Sequence, residues 1–397
     1  MKDNWTCKPL GEVGEFKRGG NFKKSDFVKD GCPCIHYGQI HMRFGVKTDS
    51  HFTNIPQAIF DKCPKAQKGD LIIAITSEDV EGSCKSTTWL GDYDVALGGH
   101  IARFRHNLNP EYVSYYFLSP QFQQAKKEYT HGFKVIEIKP SDIAKIDIPY
   151  PSRKEQDKIV STINIQFSKI DKLKQNAEKE LQEVLSCLKT TISQATSFRN
   201  GWNLDTLGEL STIKGDYGLA APSRPYDISK SDFRYLRITD ITEWGELNDD
   251  IVAADIDSDI KQEPLAEGDI LFARTGATVG KTLIYRKDFG DCLFAGYLIR
   301  YRLDHERILP RYMFYVTHSD IYYKWVAQKQ KVAAQPNISA KLYNQYPIAY
   351  PSVEEQKVII SDLDHIFSKV MLLQTSYDKI TKECEALKQS ILREIFD

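Results

Sequence analysis

No run of about 18 consecutive apolar residues occurs in the 397-residue chain, so no membrane-spanning helix is expected. The N-terminus, Met1-Lys2-Asp3-Asn4-Trp5, lacks the apolar core of a secretory signal, and a cytoplasmic protein is expected. The eight cysteines, at 7, 32, 34, 63, 84, 187, 292 and 384, form no CxxC pair. Their scatter excludes a zinc framework and favours free thiols in a reducing compartment. A surplus of positive charge is also missing. There are 53 Lys and Arg against 54 Asp and Glu, and neither half departs far from balance. A nucleic-acid surface would therefore require Lys and Arg to gather on one face.

Catalytic patterns are absent as well. There is no HExxH, no GxSxG and no Cys/His spacing of a nucleophilic site. Gly276-Ala277-Thr278-Val279-Gly280-Lys281-Thr282 resembles a phosphate loop, but has three residues between its glycines where that loop needs four. Leu283-Ile284-Tyr285-Arg286 then continues as an expected strand, so no helix N-terminus is offered to phosphate. Asn109-Pro110-Glu111-Tyr112 resembles the Asn-Pro-Pro-Tyr motif of amino-methyltransferases, with Glu in place of the second proline and no glycine-rich cofactor loop upstream; it reads as a helix start. The chain is expected to be a binding protein that holds no cofactor and no metal.

What is present is a duplication. Tyr150-Pro151-Ser152, Glu155-Gln156 and Phe167-Ser168-Lys169 return 200 positions later as Tyr350-Pro351-Ser352, Glu355-Gln356 and Phe367-Ser368-Lys369. Trp5, Gly69-Asp70 and Arg103-Phe104-Arg105 likewise match Trp202, Gly268-Asp269 and Arg300-Tyr301-Arg302. A period this long is a repeated domain rather than a solenoid. In each copy, short β-prone runs at 70–76, 100–105, 233–238 and 269–273 alternate with Gly, Asp and Pro turns. Helical patches start at Pro110 and Pro310. The fold class is α+β, not a doubly wound sheet. Arg103, Arg105, Arg300 and Arg302 alternate along strands and are read as a solvated face.

Each globule ends in prolines followed by Ser-x-x-Glu, at 152–155 and 352–355, the capping-box signature of a helix start. An amphipathic run of about 40 residues, ~60 Å long, follows each. The first carries Ile163, Phe167 (or Gln166), Ile170, Leu173, Ala177, Leu181, Val184, Leu188 and Ile192. The second carries Leu363, Ile366, Val370, Leu373, Tyr377, Ile380, Cys384, Leu387 and Ile391. Spacings of three and four over about four heptads point to an antiparallel coiled coil; two separate helices covering their own domains are the alternative. The expected layout is a globule at 1–150, a spacer helix at 151–200, a second globule at 201–350 and a second spacer at 351–397. The globules would lie at opposite ends of the helical spacer, related by a pseudo-two-fold. Ile170, Leu173, Leu181, Leu188, Leu363, Val370, Leu373 and Leu387 are expected at the helix–helix and partner interface.

Two strand-rich globules, each closed by a Tyr-Pro-Ser-x-x-Glu-Gln helix, resemble the specificity subunit of type I restriction–modification enzymes over the whole chain. That resemblance implies a non-catalytic subunit that reads a bipartite, asymmetric site on double-stranded DNA. It implies methyltransferase subunits as partners, with S-adenosylmethionine on them, and restriction/translocase subunits with ATP and Mg. The loops expected at DNA carry Gln39, His41, Ser77, Lys85, His100 and Lys134 in the first globule. In the second they carry Arg237, Arg274, Thr275, Lys281, Tyr297, Gln335 and Asn337. Lys and Arg would meet phosphates, and Gln, Asn, Ser, Arg and His could read base edges. The rival from another class is a protein-only scaffold, two globules on a coiled coil, which near-zero net charge slightly favours.

Overall fold

The computed structural model describes residues 4–132, 135–230, 232–255, 263–330 and 337–397. It divides into two compact units, Met1–Ala177 with Asp378–Asp397, and Glu178–Tyr377. Each unit holds one globule and half of each long helix. The limits expected at 150, 200 and 350 fall near the ends of those helices, Arg153–Thr196 and Val353–Phe396.

The globules repeat one topology. In unit 1 the central sheet runs Gly14–Arg18, Ile101–His106, Leu71–Ala74, Ser86–Trp89, with Lys47–Thr48 at the edge. In unit 2 it runs Ser211–Tyr217, Leu298–Leu303, Ile270–Ala273, Thr282–Ile284. The four shared strands are antiparallel. A parallel pair accompanies each sheet, Cys32–Ile35 with Val95–Leu97 and Arg234–Leu236 with Cys292–Phe294. The first strand of each copy, Thr6–Pro9 or Asn203–Thr206, closes on the strand before the long helix, Asp147–Tyr150 or Pro347–Tyr350.

The strands Leu71–Ala74 and Ile270–Ala273 are apolar throughout because both faces are covered. Alternate side chains go to opposite sides of a strand. Leu71 and Ile73 join a core with Tyr112, Tyr116 and Phe122, while Ile72 and Ala74 join one with Trp89 and Leu97. Ile270 and Phe272 divide from Leu271 and Ala273 in the same way.

The strand arginines are not a solvated face. Arg103 and Arg300 are buried, reaching Glu15 at 3.5 Å and Asp216 at 2.6 Å. Arg105 grips the buried Asp70 with two bonds (2.8 and 2.6 Å), and Arg302 grips the buried Asp269 likewise (2.7 and 2.9 Å). Each aspartate also accepts from the backbone of its own turn, Gln67 N at 2.8 Å or Ala266 N at 2.9 Å. The repeated Gly-Asp is thus a turn whose carboxylate the next strand clamps. A buried carboxylate requires such partners.

The repeated Glu-Gln has an equally specific cause. Gln156 and Gln356 are buried in the first turn of their helices. Gln156 Oε1 accepts from Asn109 N at 2.8 Å and its Nε2 donates to Pro151 O at 2.9 Å. Gln356 accepts from Leu309 N at 2.9 Å and donates to Pro351 O at 3.0 Å and Arg307 O at 2.8 Å. One side chain therefore ties the long helix to the helix starting at Pro110 or Pro310. The expected capping box is only half used. Ser352 Oγ accepts from Glu355 N at 3.3 Å, but Glu355 Oε1 accepts from Trp202 Nε1 at 3.2 Å.

Along the helices, Ile170, Leu181, Leu188, Leu363 and Val370 are buried, whereas Leu173, Leu373 and Leu387, placed on the same interface by the sequence, are exposed. The partly or fully buried line is Ile163, Phe167, Ile170, Lys174, Ala177, Leu181, Leu185, Leu188, Ile192. In the second helix it is Leu363, Phe367, Val370, Gln374, Tyr377, Cys384, Lys388, Leu392. Successive residues differ by about 100° around a helix, so choosing Leu173 over Lys174 turns the stripe to another face. The true stripe also serves the globule: Phe167 meets Tyr115 (5.5 Å) and Phe367 meets Trp244 and Phe314 (each 5.5 Å).

Within each unit the helices run antiparallel, with different chemistry. In unit 1, Asp171 bonds Lys388 at 2.5 Å and Lys174 bonds Glu385 at 3.2 Å. In unit 2 the corresponding Met371, Leu188 and Leu185 form an apolar cluster with Leu363 and Val370. Leu188→Asp places an unpaired charge there and should cost roughly 3 kcal/mol or more. Leu173→Asp should stay within about 0.5 kcal/mol. Gln356→Ala leaves a buried N–H and two carbonyls without this partner and should cost about 1–3 kcal/mol. Thermal melts of the three variants check all of this; equal losses for Leu173→Asp and Leu188→Asp would contradict the assigned stripe.

Candidate nucleic-acid interface

At one end of each globule, three segments leave the sheets together. In unit 1, Gly98 N bonds Ile35 O (3.1 Å), Ile75 N bonds His100 O (3.0 Å) and Ile138 N bonds Ile75 O (3.0 Å). In unit 2, Ala295 N bonds Leu236 O (2.9 Å), Arg274 N bonds Tyr297 O (3.0 Å) and Ile338 N bonds Arg274 O (2.9 Å). The returning strands match too: Ala74 N bonds Lys85 O at 2.8 Å and Ala273 N bonds Lys281 O at 2.9 Å. His100 thus corresponds to Tyr297, Ile75 to Arg274, Thr76 to Thr275 and Lys85 to Lys281. Most residues expected at DNA converge on this one end of their own globule.

Their side chains differ in freedom. Gln39 is spent locally, accepting from His36 N (3.2 Å) and donating to Thr53 Oγ1 (3.0 Å). His41 Nε2 lies 3.1 Å from Thr76 O. Lys85 donates to His41 O at 2.6 Å, and Lys281 donates to Ile241 O at 3.1 Å. These two lysines lock the loop facing them in both units. Ser77 is half-buried where the loop to Lys85 begins. That loop is pinned from beneath by buried Lys126, which donates to Glu81 O (2.9 Å) and Ser83 O (2.6 Å). Burial pulls the Lys126 ammonium down to about 8.

His100 is exposed, its ring 5.3 Å from Tyr37, and Tyr297 is 60% exposed. Burial first, then the charges of Lys24 and His100, hold the neighbouring His36 below the ordinary imidazole value. Arg274 lies 5.0 Å over Tyr217 with Nε 3.4 Å from Asn337 Oδ1, and Thr275 bridges to Asn337 through the backbone. Arg237 is different. It grips the buried Asp240 with bonds of 2.7 and 3.1 Å and reaches Asp250 at 2.6 Å, so its role is to brace a turn. Lys134 and Gln335 lie outside the described residues.

Sequence reading missed Arg18, Glu137 and Tyr217. Arg18 Nε donates to Gly99 O at 3.0 Å, and its Nη2 lies 3.0 Å from Glu137. By strand register Arg18 corresponds to Tyr217 and Glu137 to Asn337. For Arg18 and Tyr217 the signal was the glycine that follows: a Cβ at Gly19 would stand 2.1 Å from Gly98 O, and one at Gly218 2.2 Å from Phe294 O. Only glycine lets these strand ends approach the second sheet so closely.

The near-miss phosphate loop is a short turn, Gly276–Thr278, followed by the strand Thr282–Ile284, and its lysine is the loop lock already described. Donors and acceptors at strand ends, with two exposed rings, suit the edges and phosphates of a nucleic acid rather than bond-breaking chemistry.

A family model for the type I restriction modification DNA specificity domain matches twice, over residues 2–183 and 199–382. Among curated proteins, the chain is 22% identical to the type I restriction enzyme StySPI specificity subunit of Salmonella potsdam, covering all of this chain and 89% of that one. It is 21% identical to the EcoKI specificity subunit of Escherichia coli strain K12, with the same coverage. A chain solved in work on complex assembly and conformational transition of the type I R-M system superposes with a TM-score of 0.72 at 19% identity, covering 99% and 97% of the two chains. The chain therefore belongs to the type I restriction–modification specificity family, the non-catalytic subunits that recognise DNA sequence and direct partner subunits. That membership sets aside the protein-only scaffold.

Arg237→Ala should destabilise the protein by about 1–3 kcal/mol, because the carboxylate of Asp240 stays buried without its partner. Tyr297→Ala should leave the melt within about 0.5 kcal/mol while weakening binding to target DNA. Melting and DNA titration of both variants separate the bracing residue from the reading one.

Proposed function

We propose that the two ends just described read the two halves of a split, asymmetric DNA site. The observation that carries this reading is their divergence on a common backbone. His100 stands where Tyr297 stands, Ile75 where Arg274 stands and Glu137 where Asn337 stands. Equivalent positions with different chemistry would read different bases. Near-zero net charge places the burden on local geometry rather than bulk attraction.

The helices would set the distance between the halves and carry methyltransferase subunits. Exposed Leu173, Leu373 and Leu387 suit that second task better than helix pairing. The partner subunits would hold S-adenosylmethionine and methylate adenine. Restriction/translocase subunits would bring ATP and Mg. Among the described residues no helix is long and apolar enough to cross a membrane, in keeping with action on cytoplasmic DNA.

The test replaces residues 1–150 with the matching globule of a relative and maps methylated adenines in the host. One half of the methylated sequence should change, with the other half and the gap kept. A change in both halves together would defeat the reading.

A further inference from the structure

We propose that each unit reads a G·C base pair through one arginine, Arg18 in unit 1 and Arg274 in unit 2; this deepens the split-site reading and rests on it. The two faces build a similar guanidinium station from exchanged positions. In unit 1 the arginine ends the strand Gly14–Arg18, and its braces are the Gly99 carbonyl (3.0 Å) and Glu137 (3.0 Å). In unit 2 the arginine leaves the strand Ile270–Ala273, and its braces are Tyr217 and Asn337. Tyr217 holds the backbone place of Arg18, and Asn337 that of Glu137. The arginine has moved across the central strand to the strand on its far side, and the residues around it have changed so that it is still held.

Both guanidiniums are fixed through Nε. Arg18 also uses Nη2, toward a partly exposed glutamate, which orients it more than it binds it. Among the described residues Nη1 of Arg18, and both terminal nitrogens of Arg274, have no protein acceptor within bonding distance. The other arginines of these globules mostly end on carboxylates, Arg105 on Asp70, Arg237 on Asp240, Arg302 on Asp269 and Arg286 on Glu246. A braced guanidinium whose outer N–H groups stay open, both terminal nitrogens in Arg274 and Nη1 with the second N–H of Nη2 in Arg18, matches the paired acceptors O6 and N7 of guanine in the major groove. Each lies one strand from an exposed ring, His100 or Tyr297, at the same end of its globule.

The test uses the complete complex in cells, with Arg18→Ala, Arg18→Lys, Arg274→Ala and Arg274→Lys, followed by mapping of methylated sites. Binding of the purified complexes to duplexes carrying each base at each position is measured alongside. Either substitution at Arg18 should relax one G·C position in one half-site, lowering discrimination there by about 5- to 100-fold. Arg274 should do so in the other half, with the gap unchanged. Lysine should not restore discrimination, because it keeps the charge and loses the fork. Uniform weakening at all sites, rescued by lysine and with the motif intact, would make the arginine a phosphate contact and overturn the inference. An unchanged motif, or a relaxed position that is not G·C, would overturn it equally. If deleting the gene leaves host methylation unaltered, the split-site reading itself fails, a result distinct from all of these.

Discussion

The buried glutamine in the first turn of each long helix is the constraint on which the organisation of both units depends. Gln156 and Gln356 each accept from the backbone of the globule, at Asn109 N or Leu309 N, and donate to the proline carbonyl that leads into their own helix; Gln356 donates to Arg307 O as well. Glutamate could not replace them, since it lacks the donors for Pro151 O and Pro351 O. A shorter amide would not span the same atoms. The globule's helix at Pro110 or Pro310 is therefore fixed against the long helix at one point. Aromatic packing, with Tyr115 on Phe167 and Phe314 on Phe367, extends that fixation along about three further turns. This is why the repeat is sharpest in sequence at this junction.

Once the helix is fixed, the rest of each globule can diverge. The clamp of Arg105 on Asp70 and of Arg302 on Asp269 holds one end of the sheet nearly unchanged. At the other end the same hydrogen-bond frame carries His100 or Tyr297, and Ile75 or Arg274. Lys85 and Lys281 do the same work in both units, each locking the segment near residue 41 or 241. Conserved locks under variable tips are what a reader of two different half-sites requires. Affinity would come from phosphate contacts and discrimination from the tips.

The duplication, the two long helices and the class of fold were legible because they rest on local pattern: proline brakes, a three-and-four period and repeated words. The stripe was legible at Ile170, Leu181 and Val370 but not at Lys174, Gln374 or Lys388. There polar residues occupy half-buried places, and in unit 1 Lys174 and Lys388 find carboxylates on the facing helix. Periodicity that counts only apolar residues selects the leucine beside each. The burial of Arg103 and Arg300 was illegible because Glu15 and Asp216, the carboxylates they reach across the first strand pair, lie more than 80 residues away in sequence. Many of the residues expected at DNA gather at one end of their globule because the strands that carry them end there. Arg18 escaped because its neighbours, Gly99 and Glu137, are brought to it only by sheet pairing.

Two equivalent faces, marked by His100 and Tyr297, would meet separate parts of one DNA site. Photo-crosslinking from each of these positions in the assembled complex tests this most directly. Each position should crosslink to its own segment of the duplex, with unreactive base pairs between them. Crosslinks from both positions to the same segment, or from neither to target DNA, would contradict this.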